Sequence, residues 1–104
     1  MRTDDASIAH DVAVQNGAKS VLAPQTLATE AGITVVSEVH AYGDVVLRFV
    51  SGDFKGPFLS TFTAVEPQGE SYGLQRLDHC VGNVPKLFDV TDYLMAITGI
   101  APPL

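Results

Sequence analysis

Two β-rich runs joined by a short turn are the feature of this 104-residue sequence that most narrows its fold. The runs cover residues 33–41 and 44–51, and both are rich in valine and other residues with high β-propensity. Tyr42 and Gly43 stand between the runs, and glycine takes the positive φ of a tight turn at little cost. The pattern predicts a β-hairpin whose side chains alternate between its two faces.

Helices are predicted on both sides of this hairpin. Residues 5–17 carry apolar side chains at roughly helical spacing and finish with Asn-Gly, a common stop signal. A second helix is predicted from about Lys86 or Asp89 to Thr98. Asp89 is its expected N-cap, and Gly99 is expected to end it. The apolar stripe of this helix consists of Leu87, Val90, Leu94 and Ile97.

Further extended segments are predicted outside the hairpin. Residues 20–23 form one, which we expect to end at Pro24. Residues 58–65 form either a short strand or an irregular apolar segment, and a polar stretch rich in glycine and proline follows. Together with the helices, these segments predict an α+β protein.

A last strand is predicted over residues 73–81. Leu77, His79 and Val81 share one face of it, which we expect to point to the interior. Asp78 and Cys80 lie on the opposite face, because successive strand side chains diverge. Asp78 is therefore not expected to share a ligand with His79, and Cys80 is expected to be a small buried residue.

Composition excludes several classes of function. Apolar residues make up 46% and charged residues 17% of the chain, as in ordinary globular proteins. The net charge of −6 argues against nucleic acid as a partner, and no apolar run approaches the roughly 20 residues of a membrane span. A single cysteine excludes an internal disulfide framework. The acidic start at Asp4 and Asp5 does not resemble a targeting segment, so the cytoplasm is the expected compartment.

The histidines are the candidates for metal chemistry. No two of them have the close spacing of a metal-binding helix, so spacing alone defines no complete site. We interpret His10 as a surface residue of the first helix and His40 as a polar residue at a strand end. His79 is either a hydrogen-bonded core histidine or a metal ligand on a rigid strand, and imidazole alone does not select the metal.

Three stretches of the sequence resemble stretches of one enzyme family, and they follow one another in the same order as in that family. They are YGLQRLDHCVGNVP at residues 72–85, YGDVVLRFVS at 42–51 and VQNGA at 14–18. All three resemble the 4-hydroxyphenylpyruvate dioxygenase family, in particular its plant and algal members. The resemblance runs from near the first residue to about Ile100, and the string around His79 is its most specific part.

The resemblance implies a vicinal oxygen chelate fold, shared with glyoxalases and bleomycin-resistance proteins and built from βαβββ modules, here incomplete. Residues 1–66 would be the latter part of the N-terminal domain, and 67–72 a linker. Residues 73–104 would be the opening strand and helix of the catalytic C-terminal domain. This division agrees with the polar stretch that precedes residue 73.

Members of the family are Fe(II)-dependent dioxygenases. They convert 4-hydroxyphenylpyruvate and O₂ to homogentisate and CO₂ in tyrosine and phenylalanine catabolism, and in photosynthetic organisms they supply plastoquinone and tocopherol synthesis. His79 matches the first of the family's two histidine ligands, and Val81 matches a substrate-binding position. The second histidine and a glutamate lie beyond Leu104 in the family, so the 104 residues alone are expected to be inactive. A homo-oligomer at full length is expected, and a plastid is the alternative compartment.

Two alternatives to this function stay open from the sequence. One is an enzyme of the same fold that resembles hydroxymandelate synthase, which uses the same substrate and the same iron ligands. The other is a truncated, non-catalytic protein that pairs with a full-length subunit through exposed edge strands. For the isolated chain we expect low stability, aggregation or a domain-swapped oligomer, because a split module leaves apolar side chains without packing partners. These side chains are Leu77, Val81, Leu87 and Leu94.

Overall fold

The computed structural model describes residues 1–30, 32–53, 59 and 61–101. Two helices and three strands occur in these ranges. In chain order they are α1 (Ala6–Gln15), β1 (Ser20–Thr29), β2 (Gly32–Tyr42), β3 (Val45–Gly52) and α2 (Leu87–Thr98). The strands form one antiparallel sheet in the order β1-β2-β3. The α+β class predicted from the sequence is confirmed.

The predicted hairpin is β2 and β3. Its ladder pairs Ser37 with Phe49 and Val39 with Leu47, and the register shifts between His40 and Tyr42. This shift adds a residue to β2, so the turn consists of Gly43 and Asp44, one position later than predicted. Gly43 has a φ of +50°, as the sequence-based argument for a glycine turn requires.

Strand β1 is longer than predicted, because Pro24 does not end it. The strand continues to Thr29, and its register against β2 shifts between Leu22 and Gln25, the interval that contains Pro24. A bulge on an edge strand tolerates a residue without an N–H, since the ladder is already interrupted there. The prediction of a break at Pro24 was therefore wrong.

Apolar residues are buried on both faces of the sheet. On one face, Val39 and Phe49 pack against Ala6 and Ala13 of α1 and against Ile97 of α2 in a single cluster. On the other face, Val36 and Val50 form a second cluster with Leu59. Burial on both sides explains why the hairpin strands are rich in valine rather than strictly alternating between apolar and polar residues.

Helix α1 begins where the sequence predicts, and buried serines hold its first residue. Asp5 is the N-cap, and its side chain accepts hydrogen bonds from the N–H groups of Ser7 and Ile8. The N–H of Ala6 donates to Ser51 Oγ at 2.8 Å, and Ser37 Oγ donates to the carbonyl of Ala6 at 2.9 Å. These two bonds fix the start of α1 on the neighbouring strands β3 and β2.

Helix α2 ends as predicted but begins differently. Gly99 stands at its C-terminus in the left-handed conformation, with a φ of +72°. Lys86, not Asp89, occupies the N-cap position and its side chain makes no capping bond, while Asp89 lies in the first turn. In the predicted apolar stripe Ile97 is buried, whereas Leu87 is 61% exposed.

Residues 61–86 contain no helix or strand, and nearly all of them are exposed. The prediction of a strand over 73–81 is therefore wrong for this chain, and Leu77 and Val81, expected to face the interior, are 85% and 84% exposed. A strand needs a partner for its N–H and C=O groups, and no described strand pairs with this segment. The predicted apolar segment 58–65 lies partly outside the described residues, and 61–65 are not a strand.

Candidate metal-binding site

His79 lies in the irregular segment and its side chain is 73% exposed. Its Nδ1 is 3.5 Å from the Oδ2 of Asp78, whose side chain is 89% exposed. The sequence placed these two residues on opposite faces of a strand. Without a strand the alternation of faces does not apply, so the neighbouring side chains lean toward each other. A pair this exposed contributes little to stability.

The residues around His79 do not form a complete metal site. Across the ranges 1–30, 32–53, 59 and 61–101, no three His, Cys, Asp or Glu side chains are grouped so that they could hold a metal ion. Non-haem iron sites need two histidines and a carboxylate that converge on one ion. The described residues therefore do not fit Fe(II) by themselves, although an exposed imidazole is chemically able to serve as one ligand.

The remaining histidines have other hydrogen-bond partners. His40 Nε2 lies 2.9 Å from the carbonyl oxygen of Gly43, which ties its ring to the hairpin turn as expected for a strand-end residue. His10 is only 7% exposed, so its interpretation as a surface residue was wrong. Its Nδ1 lies 3.0 Å from Asp11 Oδ1 and its Nε2 lies 2.7 Å from Ser20 Oγ.

These bonds make His10 a structural link between α1 and β1. A carboxylate can only accept, so Nδ1 donates to Asp11, and in the neutral ring Nε2 accepts the hydroxyl proton of Ser20. The sequence did not reveal this link, because Ser20 is ten residues away and only the packing of α1 on the sheet brings it close. Among the described residues, neither His10 nor His40 joins His79 in a group of three side chains that could hold a metal ion.

The other predicted residues of the segment are also exposed. Val81, matched by resemblance to a substrate-binding position, is 84% exposed. Cys80 is a free, exposed cysteine, although the sequence predicted a buried one. Both outcomes follow from the missing strand, since nothing in the described chain packs against either of its predicted faces.

The segment meets the folded domain near Gly82. A methyl group at position 82 would lie 2.6 Å from Cζ of Tyr42, far inside normal contact distance. Val84 is half-buried, whereas the other residues of 61–86 are exposed. Tyr42 was predicted only as a turn residue. The glycine within the GNVP string was the one signal in the sequence that pointed to a close contact at this position.

A separate apolar groove lies between α2 and β3. It encloses about 330 Å³ and is lined mainly by Leu47, Leu94, Met95 and Ile100. Its lining contains no carboxylate, imidazole or thiol, so it offers neither the histidines nor the carboxylate of a non-haem iron site. Among the described residues, no helix combines the length and the apolar character that a bilayer crossing requires.

Comparison with known proteins shows which enzymes the chain is similar to. No protein-family model matches it. It is 49% identical over 105 residues to a 4-hydroxyphenylpyruvate dioxygenase of Plectranthus scutellarioides, which covers 95% of the chain but 24% of that protein. It is 44% identical over 100 residues to the same enzyme of Daucus carota, covering 91% of the chain and 22% of that protein.

A third plant enzyme is similar over nearly the same part of the chain. The 4-hydroxyphenylpyruvate dioxygenase of Arabidopsis thaliana is 41% identical over 106 residues, covering 95% of the chain and 23% of that protein. The chain thus spans about a quarter of the length of the curated relatives that it matches. On this similarity the chain belongs to the 4-hydroxyphenylpyruvate dioxygenase family.

Proposed function

We propose that this chain works as part of an Fe(II)-dependent dioxygenase that converts 4-hydroxyphenylpyruvate and O₂ to homogentisate and CO₂. The observation that carries the proposal is identity of 49% and 41% to named 4-hydroxyphenylpyruvate dioxygenases across 95% of the chain. Because the alignment covers 95% of the chain, the motif around His79 lies within the aligned region. The names of these relatives do not favour the alternative that resembles hydroxymandelate synthase.

In this proposal His79 is one of three iron ligands. Its ring is exposed, its only described partner is an exposed carboxylate, and nothing packed on it would block a metal ion. The second histidine and the glutamate would come from polypeptide outside these 104 residues, because the described residues contain no group of three ligands. Val81 would contact the substrate beside His79, as its match to a substrate-binding position of the family implies.

The proposed fold is the vicinal oxygen chelate arrangement. The order α1-β1-β2-β3 corresponds to the last four elements of a βαβββ module. Residues before α1 supply a short counterpart of its first strand, since Arg2 bridges Val50 of β3 in parallel. Thr3 N–H donates to the Val50 carbonyl at 2.8 Å, and Val50 N–H donates to the Met1 carbonyl at 2.9 Å. The proposal is supported by this parallel pairing of the residues before α1 with β3, the last strand of the module.

The proposed domain division follows the same reasoning. Residues 1–66 belong to the N-terminal module, 67–72 form a linker, and 73–104 open the catalytic domain. The exposed apolar side chains of the last part support this division, because they would find partners in the remainder of a catalytic domain. These side chains are Leu74, Leu77, Val81, Leu87 and Phe88. We further propose a homo-oligomeric whole protein in the cytoplasm, with the plastid as the alternative, both from the resemblance and the sequence alone.

A chimera tests the function directly. The corresponding quarter of the Plectranthus scutellarioides enzyme is replaced by this chain, and the product and the bound iron are measured. We expect homogentisate and about one iron per subunit. His79→Gln should abolish iron binding, whereas His40→Gln, a matched change at a ring held by Gly43, should not. Retention of iron and of homogentisate formation by the His79→Gln chimera would overturn the proposal.

A further inference from the structure

The contact between Tyr42 and Gly82 connects the hairpin to the segment that carries His79. We propose that Tyr42 is a positioning residue, which acts through Gly82 to hold this segment, and with it His79, at the turn end of the hairpin. The inference rests on the proposed role of His79 as an iron ligand, but the contact itself can be measured without iron.

Gly82 is a glycine for reasons of space. Seven other glycines of the described chain have positive φ, where any side chain is strained, and Gly82 is not among them. Alanine would therefore suit the backbone at position 82. A side chain here would meet the ring of Tyr42, whose Cζ and Cε1 would lie 2.6 Å and 3.2 Å from the added carbon, so the ring would have to move. The backbone of the segment thus packs directly on the tyrosine.

The segment is held on the C-terminal side of this contact as well. Val84 is half-buried, and Tyr93 of α2 donates a hydrogen bond from its hydroxyl to the carbonyl of His40 at 2.5 Å. Residues 82–93 are thereby attached to the last residues of β2 at two points. On the other side of Gly82, residues 61–81 are all exposed.

This attachment limits where His79 can lie. Gly82 follows His79 by three positions along the chain, a reach of about 10 Å even when the chain is fully extended. A metal ligand has to be held within a fraction of an ångström of its productive position by supporting contacts. Tyr42 provides a contact of this kind at Gly82, whereas the other described glycines of the segment, Gly69 and Gly73, have no atoms within 4 Å of an added carbon.

Nuclear magnetic resonance on the 104-residue chain tests the contact. The Tyr42 ring should perturb the chemical shifts of the Gly82 α-protons, and Tyr42→Leu should remove this perturbation. Tyr72→Leu is the matched control, because Tyr72 is 90% exposed and precedes the same segment. Unchanged resonances of Val39 and Phe49 show that the core is intact. A Gly82 shift that survives Tyr42→Leu would overturn the proposal.

Iron affinity in the chimera tests the positioning role. We expect Gly82→Ala and Tyr42→Ala each to weaken Fe(II) binding by roughly 10–100-fold, as changes in residues that orient a ligand do. The Tyr42→Ala/Gly82→Ala double variant should bind like Tyr42→Ala alone, because the clash no longer exists. Fully additive losses, or affinities within twofold of the unmodified chimera, would refute the positioning role.

The two proposals fail in different ways. If His79→Gln leaves iron binding intact while the Tyr42-dependent shift of Gly82 is present, the proposed function fails and the contact stands. If His79→Gln abolishes iron binding while Tyr42→Ala does not weaken it, His79 remains a ligand and the positioning role of Tyr42 is refuted.

Discussion

Two buried serines form hydrogen bonds with Ala6, and we expect their replacement by alanine to lower the free energy of unfolding by different amounts. Ser51 Oγ is the acceptor for the N–H of Ala6, a helix N-terminal donor that has no partner within α1. Ser51→Ala leaves this buried donor unsatisfied, which costs about 1–3 kcal/mol. Ser37→Ala removes a bond of about 0.5–1.5 kcal/mol, because the Ala6 carbonyl keeps the N–H of residue 10 as its helical partner.

Equilibrium urea denaturation followed by circular dichroism measures both changes. With a slope of about 1 kcal/mol per molar urea for a small domain, the midpoint should fall by about 1–3 M for Ser51→Ala and about half as much for Ser37→Ala. Amide hydrogen exchange within α1 gives the same comparison if the transition is not two-state.

The matched control is Ser71→Ala. Ser71 Oγ accepts from the N–H of Gly73 at an exposed site, so water replaces it and the free energy of unfolding should change by less than about 0.5 kcal/mol. The reasoning is refuted if Ser37→Ala costs as much as Ser51→Ala, because an unsatisfied donor would then not be the dominant penalty.

Three further outcomes are expected. His10→Ala should lower the free energy of unfolding by about 1–3 kcal/mol, because it empties a buried position and removes the hydrogen bond that links α1 to Ser20. In the same urea assay the exposed His79→Ala is the control, and a loss for His10→Ala no larger than that of His79→Ala would contradict this prediction. The 104-residue chain alone should bind Fe(II) with no defined stoichiometry in anaerobic titration calorimetry, since its described residues hold no three-ligand group; a one-to-one site abolished by His79→Gln would refute this. The isolated chain should melt with low cooperativity and associate, because apolar side chains such as Leu74 and Val81 are 95% and 84% exposed; a sharp transition in a monomer, by circular dichroism and light scattering, would show the opposite.

The sequence by itself determined the turns and helix ends that depend on interactions between residues close together in the chain. The hairpin follows from its β-rich runs and Gly43, α1 begins after the cap residue Asp5, and α2 ends at Gly99 in the left-handed conformation. Each of these depends on backbone and side-chain preferences within a few residues. The motif around His79 likewise pointed to the family that the comparisons show, since a motif is a property of the linear chain.

Tertiary packing decided the rest. A bulge let β1 continue through Pro24, and the docking of α1 on the sheet buried His10 against Ser20. Residues 73–81 have the alternation of a strand but no described strand to pair with, so their apolar side chains and His79 are exposed. Alternation records which side chains could share a face, whereas a strand forms only when a neighbour satisfies its N–H and C=O groups. The folded structure was also needed to identify Tyr42 as the partner of Gly82, because the two residues are forty positions apart in the chain.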